Sequence, residues 1–292
     1  MEPAQRTIST AKLDIAILEA GDPNDPLALC LHGFPDTAHT WRHLLPMLAA
    51  AGFHAVAPFM RGYAPTGVPA DRAYQAGALV ADATALHEAL GADGDAVLIG
   101  HDWGAMTAYG AGAVAPERWR RLVTLSVPPP AALMSSFFLF PQLKRSFYIF
   151  LFQTPLAEGA VTADDFAFLD GLWQDWTGPS YDPSTDLRHV KESLRGPDNV
   201  AAAIGYYRAM LDASAYLDDY AGEQEACSRI APQPTLYLHG TDDAALGADV
   251  VNDATSQLSA DSRVEFVSGA NHFLHLENPA AVNALILDWV CR

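Results

Sequence analysis

An aspartate stands at position 102 in the run Gly100-His101-Asp102-Trp103-Gly104-Ala105, with small residues two positions to either side. Upstream, Asp95 to Ile99 reads as a short buried strand; downstream, Met106 to Val114 reads as a helix of small residues packed against it. Gly100 and Gly104 permit a turn so sharp that a β-carbon would obstruct it, the pattern of a nucleophile elbow carrying Asp in place of Ser. The residue type sets the chemistry. A serine attacking a saturated carbon leaves an ether, which water does not cleave, whereas a carboxylate leaves an ester, which water does cleave. Asp102 therefore points to displacement at an sp³ carbon followed by hydrolysis, a two-step covalent route. The plainer use of an aspartate at this place is a helix N-cap.

Three more segments carry suitable residues at strand ends. His239 is followed by Gly240-Thr241-Asp242-Asp243, and the strand ending near Ser268 by Gly269-Ala270-Asn271-His272. Nucleophile, acid and histidine then fall in the chain order of the nucleophile-elbow enzymes. An ionised Asp102 needs no base in order to attack, so the work of His272 belongs to the second step, the activation of water. Asp243 or Asp242 would fix its tautomer and stabilise the imidazolium. His32-Gly33-Phe34-Pro35 follows a buried strand ending at Leu31, and the N–H groups of Phe34 and Trp103 are the expected donors to an oxyanion on the Asp102 ester. Each motif alone has an ordinary reading as turn chemistry or as a core histidine; four in the right order do not. His32 and His101 are expected to make local hydrogen bonds. His272 and His275 stand three apart but have no convergent third ligand in the sequence, so neither a metal nor an organic cofactor is expected.

The elements that must position these residues alternate: strand Leu27 to Leu31, helix about Thr40 to Ala51, strand His54 to Met60, helix about Tyr74 to Leu90, strand Arg121 to Val127. From about Pro128 to Ile230 the rhythm breaks into an aromatic-rich stretch with helical spacing. It resumes with strands Thr235 to His239 and Arg263 to Val267 and a helix Pro279 to Val290. The expected fold class is α/β, a mostly parallel sheet core over residues 1–127 and 231–292, with a helical cap over 128–230 inserted into it.

The chain has 292 residues, half of them hydrophobic and 18% charged, enough for one large core with an insertion. A net charge of -18 disfavours nucleic acid, anionic membranes and polyanionic substrates as partners. Cys30, Cys227 and Cys291 form no framework, and the N-terminus has no export signal, which together point to the cytoplasm. The apolar runs Phe137 to Phe140 and Phe147 to Phe152 are too short to span a bilayer, so no membrane insertion is expected. The oligomeric state is left open, a homodimer included.

Together the motifs resemble the epoxide hydrolases of the α/β-hydrolase superfamily over nearly the whole chain. His-Gly-Phe-Pro and Gly-His-Asp-Trp-Gly stand unchanged at residues 32–35 and 100–104. The resemblance implies Asp243, last in its loop motif, as the acid. It also implies two cap tyrosines that bind the substrate and protonate the epoxide oxygen: Tyr148, before Phe152-Gln153-Thr154-Pro155, and Tyr207, before Arg208. A phenol, with its pKa near 10, suits that task at neutral pH. The implied activity is hydrolysis of a small apolar epoxide to a vicinal diol, in a detoxifying or catabolic role. The loop from Pro58 to Ala64 departs from the family in lacking an acid before Arg61 and a glycine after Tyr63, which bears on substrate shape. The main alternative is a haloalkane dehalogenase with the same nucleophile. Phe34 stands where such enzymes often carry a halide-binding Asn, while Trp173 and Trp176 keep a cap tryptophan available. A haloacid dehalogenase fits less well with Trp103, and a receptor without catalysis fits poorly with an intact nucleophile, base and acid.

Overall fold

The computed structural model describes residues 3–251 and 253–292. Eight strands form one sheet: β1 (Ala4–Ser9), β2 (Asp14–Ala20), β3 (Leu27–Leu31), β4 (His54–Pro58), β5 (Val97–His101), β6 (Arg121–Leu125), β7 (Thr235–Gly240) and β8 (Arg263–Val267), in the order β1-β2-β4-β3-β5-β6-β7-β8. Every pairing from β4 to β8 is parallel; β1 and β2 add an antiparallel edge. Strands β3 to β7 are buried, and their side chains divide by the period of two between the faces. On β3, Leu27, Leu29 and Leu31 join one hydrophobic cluster while Ala28 and Cys30 join the other. Helices Ala76–Ala89 and Trp103–Val114 cover the first face, and Leu45–Ala50 and Pro279–Val290 the second.

Several elements differ from their sequence expectations. The N-terminal strands were not anticipated. The helix expected over about Thr40 to Ala51 is instead a 3₁₀ turn, Ala38–His43, and a separate helix, Leu45–Ala50. Pro46 explains the break, since it has no N–H to bond the carbonyl of Arg42. β4 stops at Pro58 rather than Met60. β5 runs to His101, two residues beyond Ile99, so the strand delivers Asp102 directly. β6 ends at Leu125 because Ser126 turns into a left-handed conformation with φ of 65°.

Between β6 and β7 the chain is helical: Pro130–Ser136, Phe140–Arg145, Phe147–Leu151, Ala157–Asp175, Ser184–Ser193, Pro197–Leu211 and Ala221–Ala226. The last of these packs on the core helices, with Gly77 N–H donating to Gln224 Oε1 at 2.8 Å. Among the described residues no helix is long and apolar enough to cross a membrane.

Candidate active site

Asp102 sits between β5 and the helix Trp103–Val114 with φ 54° and ψ -116°. Such a conformation costs about 1–3 kcal/mol and persists only where the surroundings enforce it. The glycines show how. A β-carbon on Gly100 would lie 2.1 Å from the Gly104 carbonyl oxygen, and one on Gly104 would lie 2.2 Å from that of Leu31. Strand, elbow and helix pack at backbone contact, and the carboxylate is pushed out over the carboxyl edge of the sheet.

The loop after β3 meets it there. Phe34 N–H donates to Asp102 Oδ1 at 2.7 Å, and the N–H of Trp103 also favours the charged carboxylate. His32 holds this loop in place: its Nδ1–H donates to the Gly33 carbonyl at 2.9 Å, and its Nε2 accepts from Met60 N–H at 3.0 Å. Burial pushes His32 down to about 4, so it is neutral and fixed by backbone on both nitrogens.

His272, in the loop after β8, turns Nδ1 toward Asp243, 3.0 Å from Oδ2 and 3.2 Å from Oδ1. Its Nε2 lies 3.9 Å from Asp102 Oδ2, beyond hydrogen-bond reach, and has no hydrogen-bond partner among the described residues. Asp243 is buried and accepts N–H bonds from Ala245 (2.9 Å) and Leu246 (2.8 Å), whereas Asp242 is exposed and bonds the Thr241 hydroxyl. Three groups missed in the sequence position the histidine. The His272 carbonyl accepts from His101 Nε2–H at 3.0 Å and from the Ser126 hydroxyl at 2.6 Å, the second made possible by the left-handed turn. Asn271 Oδ1 accepts from the N–H groups of both His272 and Ala244 at 2.8 Å, joining the histidine loop to the acid loop.

Desolvation dominates the electrostatics and is outweighed at two of three groups. Burial raises Asp102 above the ordinary carboxylate range, even against His272 and the two N–H donors. Burial would also depress His272, but Asp243 and then Asp102 raise it overall, and Asp243 in turn is lowered by its histidine against its own burial.

Tyr148 and Tyr207 descend from two helices of the insertion and are both buried, with ring centroids 5.4 Å apart. They line one chamber with Asp102, Trp103 and His272. Burial holds both phenols above their usual range, so both keep the proton. Tyr206, next in the chain, turns the other way and donates to the Arg61 carbonyl at 2.8 Å. Arg61 itself is paired to Asp82 by two bonds of 2.7 Å, which anchors the loop from Pro58 to Ala64. Trp173 Nε1 donates to the Pro35 carbonyl at 2.9 Å, while Trp176 packs against Tyr148 and His272 at 5.1 and 5.3 Å between ring centroids.

The spacing of His272 and His275 does not bring them to one ligand point, because His272 faces the two aspartates. His275 instead shares a buried cluster with Asp36 and His101, its Nε2 bonded to Thr40 Oγ1 at 2.6 Å.

A carboxylate under two N–H donors, a histidine–carboxylate pair beside it and two protonated phenols in the same chamber suit covalent displacement at carbon followed by hydrolysis. Comparison with known proteins identifies the family. A sequence profile described as alpha/beta hydrolase fold matches residues 26–279. The chain is 29% identical to epoxide hydrolase A of Mycobacterium tuberculosis over 99% of this chain and 97% of that one. It is 30% identical to epoxide hydrolase 3 of Xenopus tropicalis over 93% of this chain and 73% of the other. Among solved structures, epoxide hydrolase A from Mycobacterium thermoresistibile superposes with a TM-score of 0.78 at 29% identity, covering 98% of each chain. A Bacillus megaterium epoxide hydrolase superposes at 0.84 with 24% identity, a likeness of fold, over 98% of this chain and 100% of that one. The chain thus belongs to the alpha/beta hydrolase fold family, and named epoxide hydrolases are among its relatives.

Proposed function

We propose that this enzyme hydrolyses an apolar epoxide to a vicinal diol through a covalent ester on Asp102. The observation that carries the reading is the shared chamber. It sets a carboxylate nucleophile and two protonated phenols around one small space, the donors that a strained ring needs as its oxygen leaves. Asp102 Oδ2 attacks a ring carbon, the carbon–oxygen bond breaks toward oxygen, and the alkoxide takes a proton from Tyr148 or Tyr207. His272 Nε2 then removes a proton from water, whose oxygen attacks the carbonyl carbon of the Asp102 ester. Negative charge gathers on Oδ1 under the N–H groups of Phe34 and Trp103, each donor contributing about 3–4 kcal/mol by analogy with other oxyanion holes. Collapse expels the diol oxygen, which takes the remaining proton of the attacking water from the regenerated Asp102 carboxyl, and the proton on His272 returns to the tyrosinate, so carboxylate, histidine and phenol are all restored. Asp243 orients His272 and stabilises its charged form. The helical insertion, residues 128–230, serves as the lid that brings the phenols, and the cytoplasm is the compartment that suits three unpaired thiols.

His272→Gln tests the route. After mixing with styrene oxide, intact-mass measurement should show a gain equal to the whole epoxide. In wild type, a single turnover in heavy-oxygen water should label Asp102 and leave the diol unlabelled. Label found directly in the diol overturns the covalent step. A second reading, haloalkane dehalogenation, is favoured by one observation: Trp103 Nε1 is buried and has no hydrogen-bond partner among the described residues. An alkyl bromide would then leave an adduct lacking bromine and release bromide faster than the epoxide gives diol.

A further inference from the structure

We propose that the site is built for terminal epoxides: the oxirane sits at Asp102, one apolar substituent trails into an outer cavity, and Tyr148 and His272, backed by Trp176, close the side that a second substituent would need. This specificity rests on the epoxide reading above.

The chamber at Asp102 is small, about 40 Å³. An outer cavity of about 260 Å³ adjoins it, and Trp103, Met106, Leu133, Phe137 and Met210 line both, so the two form one path. The outer part ends at Met134, Phe138 and Leu211, which are 51%, 60% and 41% exposed and form an apolar mouth. Methionine at Met106, Met134 and Met210 gives these walls unbranched side chains that adapt to different tails.

The opposite side is different. Tyr148 and His272 line the chamber, and Trp176, 3% exposed, packs against the rings of both and also lines a cavity of about 420 Å³ with Lys144, Arg145 and Asp175. Its position is held by backbone: its N–H donates to the Leu172 carbonyl at 2.9 Å, and its carbonyl accepts from His272 N–H at 3.2 Å. Moving this wall therefore disturbs the loop of the base. A ring with a substituent on each carbon has one substituent facing the outer cavity and the other facing Tyr148 and His272, with Trp176 behind them.

The test compares isomers of equal carbon count. With the full-length enzyme, kcat/KM is measured for terminal epoxides from propene oxide to decene oxide, and for the decene oxide isomer with the ring at the chain centre. Specificity should rise by about fourfold per methylene while the tail fills the outer cavity. The central isomer should fall about a hundredfold or more below the terminal one. Trp176→Ala should narrow that ratio by about tenfold or more, by opening space behind Tyr148 into which the wall can give way. Ala76→Phe, which fills the outer cavity, should flatten the dependence on chain length and serves if the tryptophan variant does not fold. Equal rates for the two isomers, or no gain with tail length, overturn the proposal while leaving the epoxide reading intact. Folded wild-type enzyme that opens neither isomer overturns both.

Discussion

Asp102, His272 and Asp243 stand beyond the carboxyl ends of sheet strands and are fixed by hydrogen bonds, many of them to backbone, whereas Tyr148 and Tyr207 come from the helical insertion and are held by ring packing. The difference is one of tolerance. Phe34 N–H, the Trp103 amide and the N–H groups of Ala245 and Leu246 set the carboxylates to within hydrogen-bond geometry, so a change of charge or tautomer there has no neighbour to absorb it. The phenols pack instead among Phe34, Phe152, Trp103 and Trp176 at 5.1–6.3 Å between ring centroids. Such pairs contribute about 0.5–1.5 kcal/mol each, so removing one hydroxyl leaves the ring in place. Rapid loss in the sheet-borne half and graded loss in the insertion is the pattern to expect.

The largest expected effect is in the sheet-borne half. Asp243→Asn should slow ester hydrolysis by about 10⁴, because the amide favours the wrong tautomer of His272. Asp242→Asn should leave the rate within about twofold, since surface changes of this kind perturb little. Pre-steady-state rates for the two variants check the ranking, and its reversal would exchange the two roles. In the insertion, the double variant Tyr148→Phe with Tyr207→Phe should slow alkylation by about 10² to 10⁴, each single variant less, with ester hydrolysis changing far less. Near wild-type ring opening in the double variant would remove the phenols from the mechanism and favour the dehalogenase reading.

The smallest effect is a shift on the pH axis. Hydrolysis requires neutral His272, so its rate falls as pH drops through the histidine's pKa. In the free enzyme Asp243 and Asp102 together hold that pKa up against burial. Esterification removes the charge of Asp102 and hence one of the raising influences, so His272 must titrate lower in the alkyl-enzyme. The acid limb of single-turnover hydrolysis should therefore lie below the titration of His272 followed by NMR in the free enzyme. Alkylation should have its own acid limb above the usual carboxylate range, set by the raised Asp102. Coincidence of the hydrolysis limb with the free-enzyme titration would mean that the charge of Asp102 is not felt across the 3.9 Å gap.

Much of the sheet-borne half was readable because its determinants are local. A small-residue elbow, a histidine–glycine loop and two strand-end loops each lie within a few residues, and short apolar runs bounded by turn residues announce the strands that carry them. By residue spacing the insertion was readable only as helical and aromatic, since helical spacing does not say which ring faces the chamber; Tyr148 and Tyr207 were named there by the family resemblance alone. Tyr206 and Tyr207 are adjacent, and it is the Arg61 carbonyl, 145 residues away from Tyr206, that takes the first and leaves the second toward Asp102. Ser126, His101 and Asn271 were missed for the same reason: what they bond lies in other loops.

Residue types and chain order alone pointed to the proposed reaction class: a carboxylate at an elbow, a histidine that such a nucleophile does not need for attack, and glycines where a β-carbon cannot go. Those are short-range covalent and steric facts. Tertiary structure decided the choice of Asp243 over Asp242 at His272, the side to which each tyrosine turns, and the joining of a small chamber to a large apolar one with Trp176 behind it. Each of these depends on groups brought together from distant parts of the chain, where packing and desolvation, not spacing along the sequence, set the geometry.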